Sequence, residues 1–280
     1  MLFRSDRTME IAKELARNDY RIKIIENPTG RTAAGLNLAI QFSKYPVIVR
    51  VDGHSNIPDK YIELAVQLLE ETGAVNVGGL MAAEGRTPFE RAVAGAMRSP
   101  LGVGASKFHT GGIAGEVDTV YLGAFKREAL LEVGGFNEHF TRAQDWELNY
   151  RLRKNGGKIY FDPRLTVTYR PRRSLRALAK QYFEYGRWRR VVSRTHKGTI
   201  NPRYLAPPTT LVGVIASIVL SFFHPIFFLP ALVYFTFLVF SSFMIGKSVK
   251  EVLYLPIILA TMQMSWGAGF ITSPKRLANI

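Results

Sequence analysis

From Tyr204 to Gly246 the chain carries no Asp, Glu, Lys or Arg, and from Val252 to Pro274 again none. No other feature limits its fold so strongly. A helix that crosses a bilayer needs about 20 predominantly apolar residues. The first run holds two short spans, residues 209–223 and 226–245, broken near His224-Pro225, and the second holds one, residues 252–271. Burial inside a soluble protein is the competing reading, but three such runs in series leave little protein to cover them. Residues 206–280 are therefore expected to form a membrane domain of about three transmembrane helices.

Charge sharpens this expectation. The formal net charge of the 280 residues is +15, and residues 151–205 hold 16 Lys and Arg against two acids, Asp162 and Glu184. This basic stretch abuts the first apolar run. Residues 174–205 read as a basic, aromatic, amphipathic interfacial helix and linker. Positive residues beside a span stay cytoplasmic, so the preceding domain is expected in the cytoplasm, attached to the cell (inner or plasma) membrane. Lys247 and Lys250 fall on the same side. Lys275 and Arg276 would fall outside, a conflict that a re-entrant third segment removes. The first 20 residues carry Arg4, Asp6 and Arg7 and no apolar core, so no signal peptide is expected there. With no cysteine, the chain has neither disulfides nor thiolate metal ligands.

Ahead of the basic stretch, helical and strand periodicities alternate. Helices are expected over residues 8–18, 30–42, 58–70, 126–133 and 144–155. Strands are expected over 21–25, 46–51, 74–80, 118–122 and 158–161. The Gly-, Ala- and Ser-rich stretch 82–115 reads as a helix followed by a mobile loop. Such alternation argues for an α/β layer with a largely parallel sheet, over residues 1–173.

Two acidic positions carry the chemistry. In Val47-Ile-Val-Arg-Val-Asp52-Gly-His54, a buried strand ends on a carboxylate followed by an imidazole. Ligands of open α/β sheets bind beyond the carboxyl ends of the strands. Asp52, with His54, is placed to share a divalent cation such as Mg²⁺ or Mn²⁺, whose remaining ligands are typically phosphate oxygens. Asp-Gly is equally ordinary turn chemistry. The second position is Asp145, at the start of the helix Gln144-Asp145-Trp-Glu147-Leu-Asn-Tyr-Arg151-Leu-Arg-Lys-Asn-Gly156, where the helix dipole favours negative charge. By itself Asp145 reads as a first-turn acid.

The order of motifs resembles the inverting family 2 glycosyltransferases, which carry the GT-A (nucleotide-diphospho-sugar transferase), Rossmann-like fold. Gly134-Gly-Phe136 followed by an acidic pair and an Arg-Leu helix matches that family, with Gln144 in place of the usual Glu. Asp6-Arg7-Thr8, Asn27–Ile40 and Asp52-Gly-His54 match further segments in order. So do Val120–Arg127 and Gln181-Tyr-Phe-Glu-Tyr185-Gly-Arg187-Trp188. The Asp-x-His variant and the apolar tail are closest to the succinoglycan, or exopolysaccharide-biosynthesis, type. One departure is large. The family opens with a βαβ segment carrying the nucleotide pocket, and that segment is expected to be lacking ahead of Asp6.

The resemblance implies sugar transfer, with inversion, from a nucleotide-sugar donor, a UDP-sugar being expected, to a polyprenyl-linked glycan acceptor at the membrane. Asp145 would be the catalytic base. Asp52 and His54 would hold the metal. Arg31 and Asn37 would contact the donor, and Arg187 and Trp188 the diphosphate or acceptor. Interfacial anchoring competes for the last pair, and His109 and His139 read as ordinary loop residues. Two other readings stand: a polyprenyl-phosphate sugar synthase, and a non-catalytic protein binding anionic lipid or nucleic acid through its basic region. Because that region abuts the membrane, membrane lipids are the expected partner and nucleic acid is not.

Overall fold

The computed structural model describes residues 7–53, 55–104 and 106–278, so Asp6 and His54 lie outside the described residues. The chain runs α1 (Thr8–Asn18), α2 (Thr32–Phe42), β1 (Val47–Val49), α3 (Tyr61–Thr72), β2 (Asn76–Ala83) and α4 (Pro88–Arg98). Two short helices follow, α5 (Pro100–Val103) and α6 (Lys107–Thr110), then β3 (Gly115–Glu116), β4 (Tyr121–Lys126) and α7 (Arg127–Glu132). The layer ends with α8 (Gln144–Lys154) and β5 (Ile159–Tyr169). After it come α9 (Leu175–Thr195), α10 (Ala206–Leu220), α11 (Leu229–Ile245) and α12 (Val249–Ile271).

The five strands form one sheet in the order β1-β4-β2-β5-β3. It is mixed, not largely parallel. Only β2 and β5 pair in parallel, while β4 runs antiparallel to both β1 and β2, and β3 antiparallel to β5. Alternating periodicities fix element type, not strand direction. A parallel return needs a crossover of a dozen or more residues, usually a helix. The stretch after β2 instead breaks into three helical pieces and a two-residue strand, and β4 re-enters against the direction of β2.

Residues 21–26 form no strand. Among the described residues no strand pairs with them, Arg21 turns back onto Asp19, and Ile22 and Ile24 are exposed. By contrast, β5 is much longer than the expected 158–161. It continues past Pro163 because its middle bulges: Gly78 pairs with Phe161 but Leu80 with Thr166. Gly79 makes this possible, since a Cβ there would lie 1.9 Å from the Leu165 carbonyl oxygen. Pro inside a sheet is confined to edges and such bulges.

Local signals explain the helix ends. Helix α4 opens on a capping box, with Thr87 Oγ1 accepting from Glu90 N at 3.2 Å and Glu90 accepting from Thr87 N at 3.0 Å. Helix α3 stops at Gly73, whose φ of +67° suits glycine.

Apolar packing lies on both faces of the sheet. One cluster joins α2, α7 and α8 to β4 and β5 through Ile40, Phe125, Phe136, Leu148 and Phe161. A second joins α3 to the opposite face through Tyr61, Leu69, Val77 and Val167. The largest continues into the tail, uniting Met81, Val93 and Met97 with Leu178, Leu238, Leu255 and Met262. Three helical stretches, Pro202–Leu220, Pro225–Ile245 and Val249–Ile271, are long and apolar enough to cross a membrane. The second and third follow the expected segments within three residues, while the first starts seven residues earlier than expected.

Candidate active site

Strand β1 delivers its chain to the carboxyl edge of the sheet, where Arg50 and Asp52 follow. Arg50 N still bonds Gly123 O of β4 at 3.1 Å, and Ser55 N closes a turn onto Asp52 O at 2.8 Å. The Asp52 side chain is thereby held at a strand-to-turn exit.

Asp145 reaches the same point from the other direction. Helix α8 starts after Ala143, which adopts φ +59°, a left-handed conformation that costs a non-glycine residue of order 1 kcal/mol or more. That turn aims the first residues of α8 at the sheet edge. The helix is tied to the Gly134-Gly135 turn by Arg151, which donates to Gly135 O at 2.7 Å and also to Val133 O. Arg151 clasps Glu147 through two bonds of 2.8 Å, and His196, just past the end of α9, meets the same carboxylate at 3.0 Å. Glu147 is buried, so this pairing fixes the helix start and leaves Asp145 free of structural work.

Asp52 and Asp145 are joined by a residue that sequence reasoning passed over. The Arg50 guanidinium, buried at the sheet edge, pairs with Asp52 through Nε at 2.9 Å and with Asp145 through Nη1. Its plane also lies 5.8 Å over the Phe136 ring. Desolvation works against the Arg50 charge, but the attraction of Asp145 and then Asp52 outweighs it and holds its pKa above the ordinary value. Asp145 shifts the other way for a carboxylate. Its desolvated setting, the largest cause, and the Asp52 charge raise its pKa, while Arg50 opposes them. The side chain is nonetheless 44% exposed, so one face of the carboxylate is reachable. Arg50 carried one available signal: a lone cation in the strand-end run Val47–Val51, two residues before Asp52.

The remaining predicted residues fall in different places. Arg31 sits exposed at the start of α2. Asn37 spends its amide on the protein: its Nδ2 donates to Phe136 O at 2.8 Å and Glu138 Oε1 at 3.0 Å, and its Oδ1 accepts from Phe136 N. It fixes the Gly-Gly-Phe turn beside the site. Arg187 pairs with Glu184 at 3.0 Å and stacks over Phe183. Trp188 is buried against Phe140, Val191 and Val192, with His139 edge-on to its ring. It anchors α9 to the domain. Gln144, in place of the usual acid, donates to Phe140 O at 3.0 Å and so acts within its own turn.

His109 differs from the loop residue expected. It lies in α6 against Phe108, its Nδ1 has no partner among the described residues, and burial pushes its pKa down to about 4. Tyr121, 3.3 Å from Ser55 Oγ, is held protonated by burial with its pKa pushed up to about 12.

No cluster of three or more His, Asp or Glu suited to a metal exists among the described residues. Magnesium-type sites need only one or two carboxylates plus substrate phosphates, and Asp52 supplies one. A cleft of about 310 Å³ opens beyond β2, between α4 and the start of α12. Arg91, Arg98, Arg170 and Lys247 line it, with Glu84 and Glu251.

A mixed sheet with two carboxylates converging at one edge, followed by an apolar three-helix tail, defines a GT-A-like α/β domain with a hydrophobic C-terminal region. The model of the glycosyl transferase family 2 matches residues 4–134 of the chain. It is 35% identical over 207 residues to the succinoglycan biosynthesis protein ExoA of Rhizobium meliloti, covering 72% of this chain and 62% of that protein. It is 25% identical over 211 residues to a dolichyl N-acetyl-α-D-glucosaminyl phosphate 3-β-D-2,3-diacetamido-2,3-dideoxy-β-D-glucuronosyltransferase of Methanococcus voltae, covering 72% and 65%. The chain thus spans less than two thirds of the length of these relatives. Among solved structures, the mannosyltransferase PcManGT of Pyrobaculum calidifontis, in complex with GDP-Man and Mn²⁺, superposes with a TM-score of 0.55. Its identity is 16%, covering 96% of this chain and 74% of that one, which speaks for the fold.

Proposed function

We propose that the chain is a membrane-attached, inverting glycosyltransferase that moves a sugar from a nucleotide-sugar to a lipid-linked acceptor in the synthesis of an exopolysaccharide or other cell-surface glycan. The observation that carries this reading is the Asp52–Arg50–Asp145 constellation. Two carboxylates 93 residues apart in sequence meet at the ligand edge of the sheet, bound by one guanidinium.

The two carboxylates divide the work. Asp145, reachable from solvent and with a raised pKa, accepts the proton of the acceptor hydroxyl as that oxygen attacks the anomeric carbon. A carboxylate made more basic by desolvation is the better general base. Asp52, with His54 as a second ligand, would hold Mg²⁺ or Mn²⁺ together with diphosphate oxygens. When bound, such an ion neutralises the charge that develops on the departing nucleoside diphosphate. Arg50 keeps Asp145 aimed and ionised beside the Asp52 charge. Arg31, exposed at the start of α2, would meet donor phosphates, and UDP is the nucleotide we propose for the donor. Asn37 shapes the site through the Phe136 turn, while Arg187 and Trp188 act by seating α9.

The acceptor reading draws on the tail and the cleft. In the cleft beside the apolar helices Arg91 pairs with Glu251 and Arg170 with Glu84, while Arg98 and Lys247 would meet the phosphate of a polyprenyl-linked glycan. The relative from Methanococcus voltae is named for a lipid-phosphate-linked sugar acceptor. With the basic residues around α9 drawn to anionic headgroups, the catalytic domain would sit on the cytoplasmic face.

The experiment is turnover by the chain in native membranes. UDP- and GDP-sugars are supplied with either a polyprenyl-diphosphate saccharide or bare polyprenyl phosphate. Metal-dependent transfer from a UDP-sugar to the saccharide is expected. Transfer only to the bare phosphate would replace this acceptor, and no release of nucleoside diphosphate with any pair would contradict the reading.

A further inference from the structure

Helix α12 is the longest of the apolar helices, 23 residues or about 34 Å, enough to cross a hydrocarbon core of about 30 Å. Its contacts argue otherwise. At its first turn, the buried Glu251 pairs with Arg91 of α4 at 2.9 Å. At its middle, Gln263 donates to Leu101 O of α5 at 3.3 Å. Just past its end, Ser273 O accepts from Arg194 of α9 at 2.9 Å, and Ser273 Oγ donates to Arg187 O at 3.1 Å. Further on, His139 Nε2 meets Leu277 O at 2.6 Å. Start, middle and end all touch the catalytic domain or its interfacial helix.

Helices α9 and α12 lie side by side with the chain running the same way. Arg190 stacks over Phe270, and the backbones nearly touch: a Cβ on Gly186 would lie 1.9 Å from Trp266 O, and one on Gly269 1.9 Å from Phe183 O. Helix α9 carries Arg176, Lys180, Arg187, Arg189, Arg190 and Arg194. A membrane-crossing α12 would carry this neighbour through the hydrocarbon with it. Each such cation at the bilayer centre costs about 3 kcal/mol or more.

The other two apolar helices are placed differently. Arg203, ahead of α10, pairs with Asp118 at 3.0 Å, and Ile245, ending α11, packs on Gly95 of α4. Their hairpin therefore leaves the catalytic domain and returns to it. Its tip carries Phe222 and Phe223, both more than 80% exposed.

We infer that α12 lies in the plane of the membrane, seated between the catalytic domain and the α10–α11 hairpin, and does not cross the bilayer. The inference rests on the membrane attachment proposed above. The hairpin is then the inserted unit. Lys247, Lys250, Lys275 and Arg276 all face the side that holds the catalytic domain. This removes the conflict that a third crossing creates with the positive-inside rule.

Because the chain has no cysteine, single substitutions report cleanly. Lys154→Cys marks the catalytic domain, Lys250→Cys the start of α12, and Lys275→Cys and Arg276→Cys its far end. All four positions are exposed. Each is treated with a membrane-impermeant maleimide in sealed right-side-out and inverted vesicles. All four are expected to react from the same side. Labelling of both Lys275→Cys and Arg276→Cys from the side opposite Lys154→Cys would overturn the in-plane placement. A carbonate wash separates the two readings. Release of the chain by the wash would overturn membrane attachment itself, whereas retention with opposite-side labelling would overturn only the in-plane helix.

Discussion

Arg50 decides how the two carboxylates behave. It opposes both causes that raise the Asp145 pKa. Replacing it with Gln leaves two like charges facing each other in a desolvated corner, which drives the carboxylate pKa further up. The Arg50→Gln variant should move the acid limb of the kcat/KM profile to higher pH and lower its plateau about 10²-fold. Arg50→Lys should recover part of the plateau without the paired geometry. An unmoved acid limb would show that Arg50 does not act on Asp145.

His109 gives a pH prediction of a different kind. Its folded pKa of about 4 lies below its ordinary value of 6.5, so only the unfolded chain binds a proton between them. Stability should therefore fall as pH drops from about 6.5 to about 4, by at most about 3 kcal/mol. Denaturant melts of the wild type and His109→Asn across that window would read this. The variant should lose the His-linked part of the slope.

Among the elements, α8 has its start fixed by the Glu147–Arg151 pair. Removing one partner of a buried pair leaves a bare charge and costs about 3–5 kcal/mol. Arg151→Met should therefore lower the melting temperature markedly and loosen the Gly134-Gly135 turn it holds. Glu147→Gln, which keeps a hydrogen-bonding group facing Arg151, should cost less. The α9–α12 seam rests on backbone proximity. Gly186→Leu must push the helices apart and should expose the linker between them to protease, at a cost of about 1–3 kcal/mol.

For the whole molecule, the sequence carried composition-scale features well. Charge-free runs located the tail helices because no compact polar fold absorbs them. Asp52 and Asp145 were legible because strand ends and helix starts are where α/β folds present carboxylates. Strand direction was not legible, since periodicity is the same either way. Arg50 was hidden because an isolated cation in a short strand reads as its solvent face, and only tertiary closure puts a second carboxylate against it. Asn37 and Trp188 were visible as motif residues, yet their hydrogen bonds and packing are properties of the assembled turn and helix.

The central claim is that Asp145 is the base of a sugar transfer at the Asp52–Arg50 edge. Single-turnover transfer by Asp145→Asn, in membranes at saturating donor, tests it most directly. The account predicts a rate lowered about 10²- to 10⁴-fold, with nucleotide-sugar binding retained. A variant that transfers sugar at the wild-type rate would contradict it.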